Sequence, residues 1–333
     1  MQQNDSLADG ARLRTPAEDF TTRVTAVEVP SELDPPLGPE DVVIIGTKTQ
    51  AVAAILDTLS RAVAGAGQEP AIVCLTNGLH TEVAALRYFP RVYGMLVQLG
   101  GTHLVPGEVR CFSSGLHGWL DVGCFPSGTD ELCEAIASAF RKAEFACEAS
   151  ADVMVLKRTK LLSNVSNGMA VIETSTAAGV AAAKKITPAL RTEAEAVYDA
   201  AGLAWLDREV RESRPLPPPP SSIAPGTVTV IACLQPVLAS ATCTSIMLTV
   251  FSFVRSFVPS FFLQAWTAMR KSRSDCQRIV SGTIAGDESL RGGSSTWQSL
   301  TRGTGDIECD FLNGEIALLG RLFGVPTPAN SFV

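Results

Sequence analysis

Between residues 41 and 150, short apolar runs alternate with segments whose apolar residues recur at helical spacing. The first run, over residues 41–48, is apolar at its centre and polar at its end, and residues 70–76 repeat that pattern. Helices are predicted between and after them, over residues 49–64 and 81–89. Continuous apolar strands that alternate with helices are typical of parallel sheets, so residues 1–150 are predicted to form an α/β domain with a doubly wound sheet.

The second half of the chain is predicted to be all-helical. Residues 154–206 are rich in Ala, Leu and Lys, and one helix in this stretch is predicted to end at Gly202, a residue suited to a C-cap. Residues 306–323 again carry apolar side chains at helical spacing. We therefore expect a second domain over residues 151–333.

Residues 215–290 interrupt this helical half. The segment opens with a proline run and has no charged residue before Arg255. Because it lacks a clear period, we interpret it as an irregular insert with little defined structure. A buried packed element is an alternative. A membrane helix over residues 237–254 is another, opposed by the hydroxyl side chains within that run and by Pro259 after it.

Charge and cysteine usage exclude several classes of protein. The net charge is −7, so there is no global positive field to hold nucleic acid, and membrane binding is not expected either. The nine cysteines are odd in number, form no C-x-x-C pair and do not cluster with histidine, which predicts neither a disulfide framework nor a metal site. The polar N-terminal sequence lacks the pattern of a secretory signal, so we expect a cytoplasmic protein.

Three polar residues are predicted to share one helix face. Lys160, Asn164 and Asn167 stand at positions i, i+4 and i+7, so an ammonium and two amides would face one space. Such a trio can bind a carbonyl compound and deliver a proton to an alkoxide, although a solvated surface stripe has the same pattern. Lys48 and Asn77 follow the two predicted strands, where ligands bind in open α/β sheets. Each also has a simpler interpretation, as a solvated lysine and as a turn residue.

Six segments, taken in order, resemble the ketopantoate reductase (2-dehydropantoate 2-reductase) family: DVVIIGTK, CLTNGL, VPGEV, KLLSNVSN, EAEAVYDAAGL and the ending GGSSTWQSLTRGTGDIECDFLNGEIALLGRLFGVPTPAN. The resemblance covers roughly residues 30–202 and 292–330. It implies a Rossmann-type domain followed by an all-helical C-terminal domain like that of 6-phosphogluconate dehydrogenase. The implied activity is hydride transfer from NADPH to a 2-oxo acid or related ketone. The expected partner is a small-molecule keto acid, and a homodimer is a possible assembly.

The resemblance also implies roles for single residues. Lys160 would be the general acid, and Asn164 and Asn77 would orient the substrate and the nicotinamide. Ser295 and Asn167 would bind the substrate. Glu308 would be the carboxylate that lies near the substrate hydroxyl group. Lys48 would contact the cofactor.

The sequence departs from the family pattern in two places. The family opens with a strand, a G-x-G-x-x-G turn and a helix, and nothing of that kind precedes Asp41, so roughly 30 residues of the first βα unit are expected to be missing and the Rossmann domain to be truncated. The insert over residues 215–290 is the second departure, because it separates the helices on the substrate side from the Ser295 segment. In addition, Asn167 follows Asn164 by three residues, where many relatives have four. Because the G-x-G-x-x-G segment is missing, the alternative function is a non-catalytic relative that acts as a dimerisation or binding module.

Overall fold

The structure is a computed structural model. It describes residues 11–22, 25–64, 69–113, 116–169, 176–207, 230–234, 247–251, 294–303 and 307–333. Its strands are β1 (Ala11–Arg14), β2 (Asp19–Thr22), β3 (Thr25–Val27), β4 (Val42–Ile45), β5 (Ala71–Cys74), β6 (Val92–Met95), β7 (Gln98–Leu99), β8 (Gly101–Thr102), β9 (Glu108–Cys111), β10 (Gly118–Trp119), β11 (Val122–Cys124), β12 (Phe145–Ala146), β13 (Val230–Leu234) and β14 (Met247–Phe251).

The helices of the described residues follow the same chain order. They are α1 (Val52–Val63), α2 (His80–Ala85), α3 (Glu131–Lys142), α4 (Val153–Asn164), α5 (Ala177–Ala200), α6 (Ser295–Thr301), α7 (Cys309–Phe323) and α8 (Pro328–Phe332), with 3₁₀ turns at Pro30–Glu32 and Thr49–Ala51. None of these helices is long and apolar enough to cross a membrane.

A seven-stranded sheet forms the centre of the first domain, in the order β11-β6-β5-β4-β13-β14-β3. Strands β6, β5, β4 and β13 are parallel, with Val43 opposite Ile72 and opposite Ile231. Every residue of β4 and β5 is buried, because α1 covers one face of the sheet and α3 the other. The doubly wound α/β domain predicted from the alternating apolar runs is confirmed.

Part of the insert belongs to this sheet. Val230–Leu234 pairs with β4 in parallel, and Met247–Phe251 pairs with β13 in antiparallel orientation. Both runs are apolar and contain β-branched residues, which favour a pleated strand. These ten residues form strands, whereas an irregular conformation was expected of the insert. Because Met247–Phe251 is a strand, this part of residues 237–254 does not form the alternative membrane helix. The rest of residues 208–293 lies outside the described residues.

The second domain is helical, as predicted. Helices α4, α5 and α7 share a core that includes Leu161, Leu190, Tyr198 and Ile316. The predicted C-cap is also confirmed, since α5 ends at Ala200 and Gly202 has a φ of +64°.

Two asparagines of the C-terminal family motif hold these helices together. The buried Asn313 donates to the carbonyl of Val165, 2.8 Å away, and to Asn330 Oδ1 at 3.1 Å. Asn330 in turn donates to the carbonyl of Leu190 and to Glu193, at 2.9 Å each. The Asn313 contact fixes the backbone directly after α4, so this motif supports the position of the polar helix.

Candidate active site

The carboxyl ends of β4, β5 and β6 meet at one edge of the sheet, because the three strands are parallel. In open α/β sheets this is the edge where ligands bind. Helix α4 of the second domain lies against it, and the lysines of α4 reach the chain that leaves the strands. The edge therefore brings residues of both domains together.

Lys160 contacts the chain that follows two of these strands. Its Nζ donates to Asn77 Oδ1, 2.6 Å away, and to the backbone carbonyl of Val97. Asn77 follows β5 and Val97 follows β6. The structure therefore brings together the lysine and one of the asparagines that the sequence singled out, and both are partly buried.

A second lysine, one turn before Lys160, enters the same edge of the sheet. Lys157 Nζ forms a salt bridge with Glu82 and donates to the carbonyls of Cys74, at 3.3 Å, and Thr76, at 3.0 Å. Only 2% of the Lys157 side chain and 0% of the Glu82 side chain are exposed. The sequence analysis missed this pair, although the spacing of three residues places Lys157 on the face of Lys160.

The buried carboxylate of Glu82 also affects the helical domain. Burial raises the pKa of Glu315 on α7, and the negative charge of Glu82 raises it further. The Lys157 ammonium is thus the cation that compensates a buried carboxylate where the two domains meet.

The Asn77-Gly78 turn requires glycine for two reasons. Gly78 has a φ of +78°, which L side chains rarely adopt, and a Cβ built on it would lie 2.9 Å from the carbonyl oxygen of Phe311. The following residue, Leu79, packs in the core of the helical domain. The turn predicted from these two letters therefore also presses against α7, which the local sequence did not indicate.

Lys48 and Glu308 are paired with each other. Their Nζ and Oε2 atoms lie 3.5 Å apart. Glu308 Oε1 accepts hydrogen bonds from Thr49 N and Thr49 Oγ1, at 3.0 Å each, so the carboxylate caps the helical turn that follows β4. Gln50 Nε2 adds a bond of 2.6 Å to the Ile307 carbonyl. The roles that the resemblance implies for Lys48 and Glu308 stay predictions.

Asn164 and Asn167 do not share one helix face. Helix α4 ends at Asn164, which is buried, and Asn167 lies in the turn that follows. The backbone N–H of Asn167 donates to the Asn164 carbonyl, an i to i+3 bond that tightens the chain before Gly168. The predicted polar helix face therefore ends at Asn164 and does not include Asn167.

Ser295 is the half-buried first residue of α6. This helix is attached to the first domain by Gln298, which donates to the Gly101 carbonyl at 2.9 Å and accepts from the His103 amide at 3.1 Å. Arg302 donates to the carbonyl of His103 at 2.5 Å. These contacts involve neither Lys160 and Asn77 nor Lys48 and Glu308. The substrate-binding role of Ser295 stays a prediction.

Another group of side chains lies close together in the sequence but follows no known ligand motif. Cys124, Asp130 and Cys133 place one ligand atom each within 4.8 Å of one another, and within the described residues they form the one group of three that can hold a metal ion. Asp130 also caps α3 and accepts from Tyr93 at 2.7 Å. Because these residues lack a C-x-x-C spacing, no pattern in the sequence indicates the group.

Comparison with known families identifies the fold. The sequence profile of the ketopantoate reductase PanE/ApbA family matches residues 3–127, and that of its C-terminal domain matches residues 152–333. The chain belongs to the ketopantoate reductase PanE/ApbA family. The match extends beyond the segments that carry the resemblance in the sequence, since it begins at residue 3 and includes the insert.

Solved structures agree with this assignment. The PanE/ApbA family ketopantoate reductase from Ralstonia eutropha JMP134 is 18% identical, with a TM-score of 0.61 over 99% of this chain and 84% of its own. D-mandelate dehydrogenase, solved with NADH and anilino(oxo)acetate, is 14% identical, with a TM-score of 0.63 over 99% and 84%. The 2-dehydropantoate 2-reductase from Methylococcus capsulatus is 16% identical, with a TM-score of 0.58 over 99% and 83%.

At these identities the solved structures show the fold, and the profile matches show the family. The Rossmann-like domain followed by a helical C-terminal domain is the architecture of PanE/ApbA proteins, as the resemblance implied. The family and its structural neighbours are oxidoreductases.

Proposed function

We propose that this chain reduces the carbonyl group of a 2-oxo acid of the 2-dehydropantoate type, with NADPH as the hydride donor. The observation that carries the proposal is the hydrogen bond between Lys160 Nζ and Asn77 Oδ1, 2.6 Å long, at the carboxyl edge of the parallel strands. It combines a proton donor on the helical domain with an amide on the Rossmann-like domain, which is what reduction in a cleft between two domains needs.

The residues at the end of β4 fit a nicotinamide cofactor. Thr47 Oγ1 is buried and has no hydrogen-bond partner among the described residues; Lys48 Nζ is also buried and forms an ion pair with Glu308 Oε2 at 3.5 Å but no hydrogen bond among those residues. Buried polar atoms without a hydrogen bond are rare, so the Thr47 hydroxyl and the Lys48 ammonium each retain hydrogen-bonding capacity for a phosphate or carboxamide group. Lys48 and Asn77 would hold the cofactor, which supplies a hydride to the substrate carbon when bound.

Lys160 provides the proton in this proposal. Reduction of a ketone places negative charge on the carbonyl oxygen, and an ammonium near that oxygen stabilises the charge and then protonates the alkoxide. Asn77 accepts a hydrogen bond from Lys160 and so fixes the direction of the Nζ group. Asn164, one turn later on α4, and Ser295 on α6 would bind the carboxylate and hydroxyl groups of the substrate.

The first test measures the binding of NADPH to the full chain by fluorescence titration. Saturable binding with 1:1 stoichiometry supports the reductase, and no binding favours the alternative, a non-catalytic dimerisation or binding module. Turnover is then measured as NADPH oxidation with 2-dehydropantoate, with an aryl-substituted 2-oxo acid and with a simple ketone that lacks the carboxylate. NADPH oxidation with the simple ketone, and with neither 2-oxo acid, would contradict the proposed substrate class.

The second test addresses the proton donor. We expect Lys160→Ala to lower kcat by about 100-fold or more while NADPH still binds, because the variant removes the acid and leaves Lys48 in place. Lys142→Ala is the matched control, since Lys142 is an exposed lysine on α3. Equal turnover of the two variants would remove Lys160 from the mechanism.

A further inference from the structure

A cysteine, a histidine and a glutamate are aligned in the first domain, away from the lysines of α4. Cys111 Sγ lies 3.9 Å from His117 Nδ1, and His117 Nε2 lies 3.2 Å from Glu144 Oε2. Ser113 Oγ is 3.1 Å from the same sulfur atom. Each ring nitrogen of the histidine therefore has its own partner, a thiol on one side and a carboxylate on the other.

The strand pairing explains this alignment. His117 precedes β10 and Glu144 precedes β12, and these two strands are parallel neighbours with Gly118 opposite Phe145. The His117 amide donates to the Glu144 carbonyl at 2.9 Å, so the two residues are side by side before the strands begin. Cys111 is the last residue of β9.

The end of helix α3 positions Glu144. Its φ is +62°, and among the described residues it is the one non-glycine residue with a positive φ. Glu144 directly follows the C-cap residue of α3, Ala143, and a left-handed residue at this position is a common way for a helix to end. The turn leads the chain into β12 and places the Glu144 carboxylate 3.2 Å from His117 Nε2.

We propose that Cys111 is a reactive thiol that His117 and Glu144 activate, and that it is a modification site for small hydroperoxides. The arrangement has the parts of an activated nucleophile: a sulfur, a base beside it and a third group that orients the base. The proposal does not depend on the reductase function, because none of these residues belongs to the site at the carboxyl edge.

The chemical step is an oxidation of sulfur. The Cys111 thiolate attacks one oxygen of the hydroperoxide, so that an S–O bond forms and the O–O bond breaks. Sulfur is oxidised to a sulfenic acid and the peroxide is reduced. The leaving oxygen takes the proton of the His117 imidazolium and departs as water or an alcohol.

The charges around the thiol support its activation. Burial disfavours the thiolate, but hydrogen bonds from His117 and Ser113 outweigh burial and lower the pKa of Cys111. The hydrogen bond with Cys111, and then that with Glu144, raises the pKa of His117 to about 9. The other described cysteines behave in the opposite way, since burial raises the pKa of each; they are Cys74, Cys124, Cys133, Cys147 and Cys309.

Access to the site favours a small reagent. Cys111 itself is 8% exposed, whereas the side chains of His117 and Glu144 are 20% and 39% exposed. The histidine and the glutamate thus connect the thiol to the surface. A small hydroperoxide needs less space at such a site than a bulky disulfide.

The experiment treats the full chain with hydrogen peroxide and a sulfenic-acid probe such as dimedone, and locates the labelled cysteines by peptide mass spectrometry. We expect Cys111 to be labelled before Cys147 and before the other buried cysteines. His117→Gln should slow labelling of Cys111 by about tenfold or more, because an unactivated thiol is only a few per cent thiolate at neutral pH. Glu144→Gln should slow it by a smaller factor, and Glu131→Gln, which removes an exposed carboxylate on α3, should not slow it.

A second measurement keeps the result independent of folding defects in the variants. The rate of Cys111 alkylation by iodoacetamide is measured in the unsubstituted protein as a function of pH. A rate that stays high below about pH 8, where an ordinary thiol is protonated, supports the proposal. Three results would each overturn it. One is a pH dependence of Cys111 alkylation like that of an ordinary thiol, and another is sulfenic-acid labelling of Cys111 no faster than that of Cys147. The third is the same labelling rate of Cys111 in folded His117→Gln as in the unsubstituted protein.

Discussion

The buried salt bridge between Lys157 and Glu82 should be essential to the stability of the protein. Lys157→Met keeps the aliphatic length of the side chain and removes the ammonium. The change leaves the Glu82 carboxylate, which is 0% exposed, without its cation, and it removes one donor from the Thr76 and Cys74 carbonyls. Breaking a buried pair in this way destabilises a protein by about 3–5 kcal/mol, and we expect a loss in that range at neutral pH.

The double variant Glu82→Gln/Lys157→Met separates the pair from the packing of its side chains. It removes both charges, so no charge remains buried alone, and its loss of stability should be smaller than the sum of the two single losses by about 1–3 kcal/mol. Lys142→Met, on the exposed face of α3, is the control and should change stability by less than about 0.5 kcal/mol.

The assay is unfolding in urea, followed by both tryptophan fluorescence and far-UV circular dichroism. Coincident transitions are needed for a single free energy of unfolding, because the salt bridge joins two domains that could separate before they unfold. Two results would refute the reasoning. One is a Lys157→Met variant within about 1 kcal/mol of the control, and the other is a double variant whose loss equals the sum of the single losses.

Three further predictions concern other parts of the molecule. Gly78→Ala should lower the free energy of unfolding by more than Gly303→Ala, because both glycines have a positive φ but only Gly78 lacks room for a Cβ; equal shifts of the thermal midpoint would contradict this. Glu308→Ala should cost about 1–2 kcal/mol through loss of a helix cap, and a thermal shift no larger than that of the exposed Asp310→Ala would disprove the capping role. The hydrogen bonds of His117 with Cys111 and Glu144 raise its pKa to about 9, so the imidazole should stay protonated at pH 7–8 in an NMR titration; a midpoint near the ordinary value of 6.5 would contradict these contacts.

The central strands and the helices were predictable because they depend on local pattern. The apolar runs at residues 41–48 and 70–76 became β4 and β5, shortened at both ends to the four residues that are fully buried. The helix predicted over residues 81–89 is shorter, His80–Ala85, because the chain tightens into i to i+3 turns before Pro90. Boundaries of this kind depend on where burial ends, which the sequence indicates only approximately.

The non-local pairings could not be predicted. Val230–Leu234 lies almost two hundred residues after β4 in the chain yet pairs with it in register, and its apolar sequence without a period is equally compatible with a helix. Glu308 caps the turn at Thr49 across 259 residues of sequence. Such contacts are decided by the assembled sheet and helices, so no spacing in the sequence reveals them.

The candidate site was half predictable for the same reason. Lys160 and Asn77 were found because one lies on a helix face and the other at a strand end, positions that sequence pattern defines. Asn167 was placed wrongly because the helical period was extended past the residue where α4 ends. Lys157 was missed because its importance comes from the burial of Glu82, which only the packed structure shows.

The two lysines of α4 connect stability to the proposed chemistry. Lys157 and Lys160 project from one rigid helix to the carbonyls and the amide that follow β5 and β6. The direction of the Lys160 ammonium therefore depends on how closely α4 approaches the sheet, and the buried salt bridge of Lys157 sets that approach. If the proposed reduction is correct, Lys157→Arg, which keeps the charge but is longer, should remain folded and still lose turnover, because a displacement of 1 Å at a reacting group can lower a rate by roughly 100-fold.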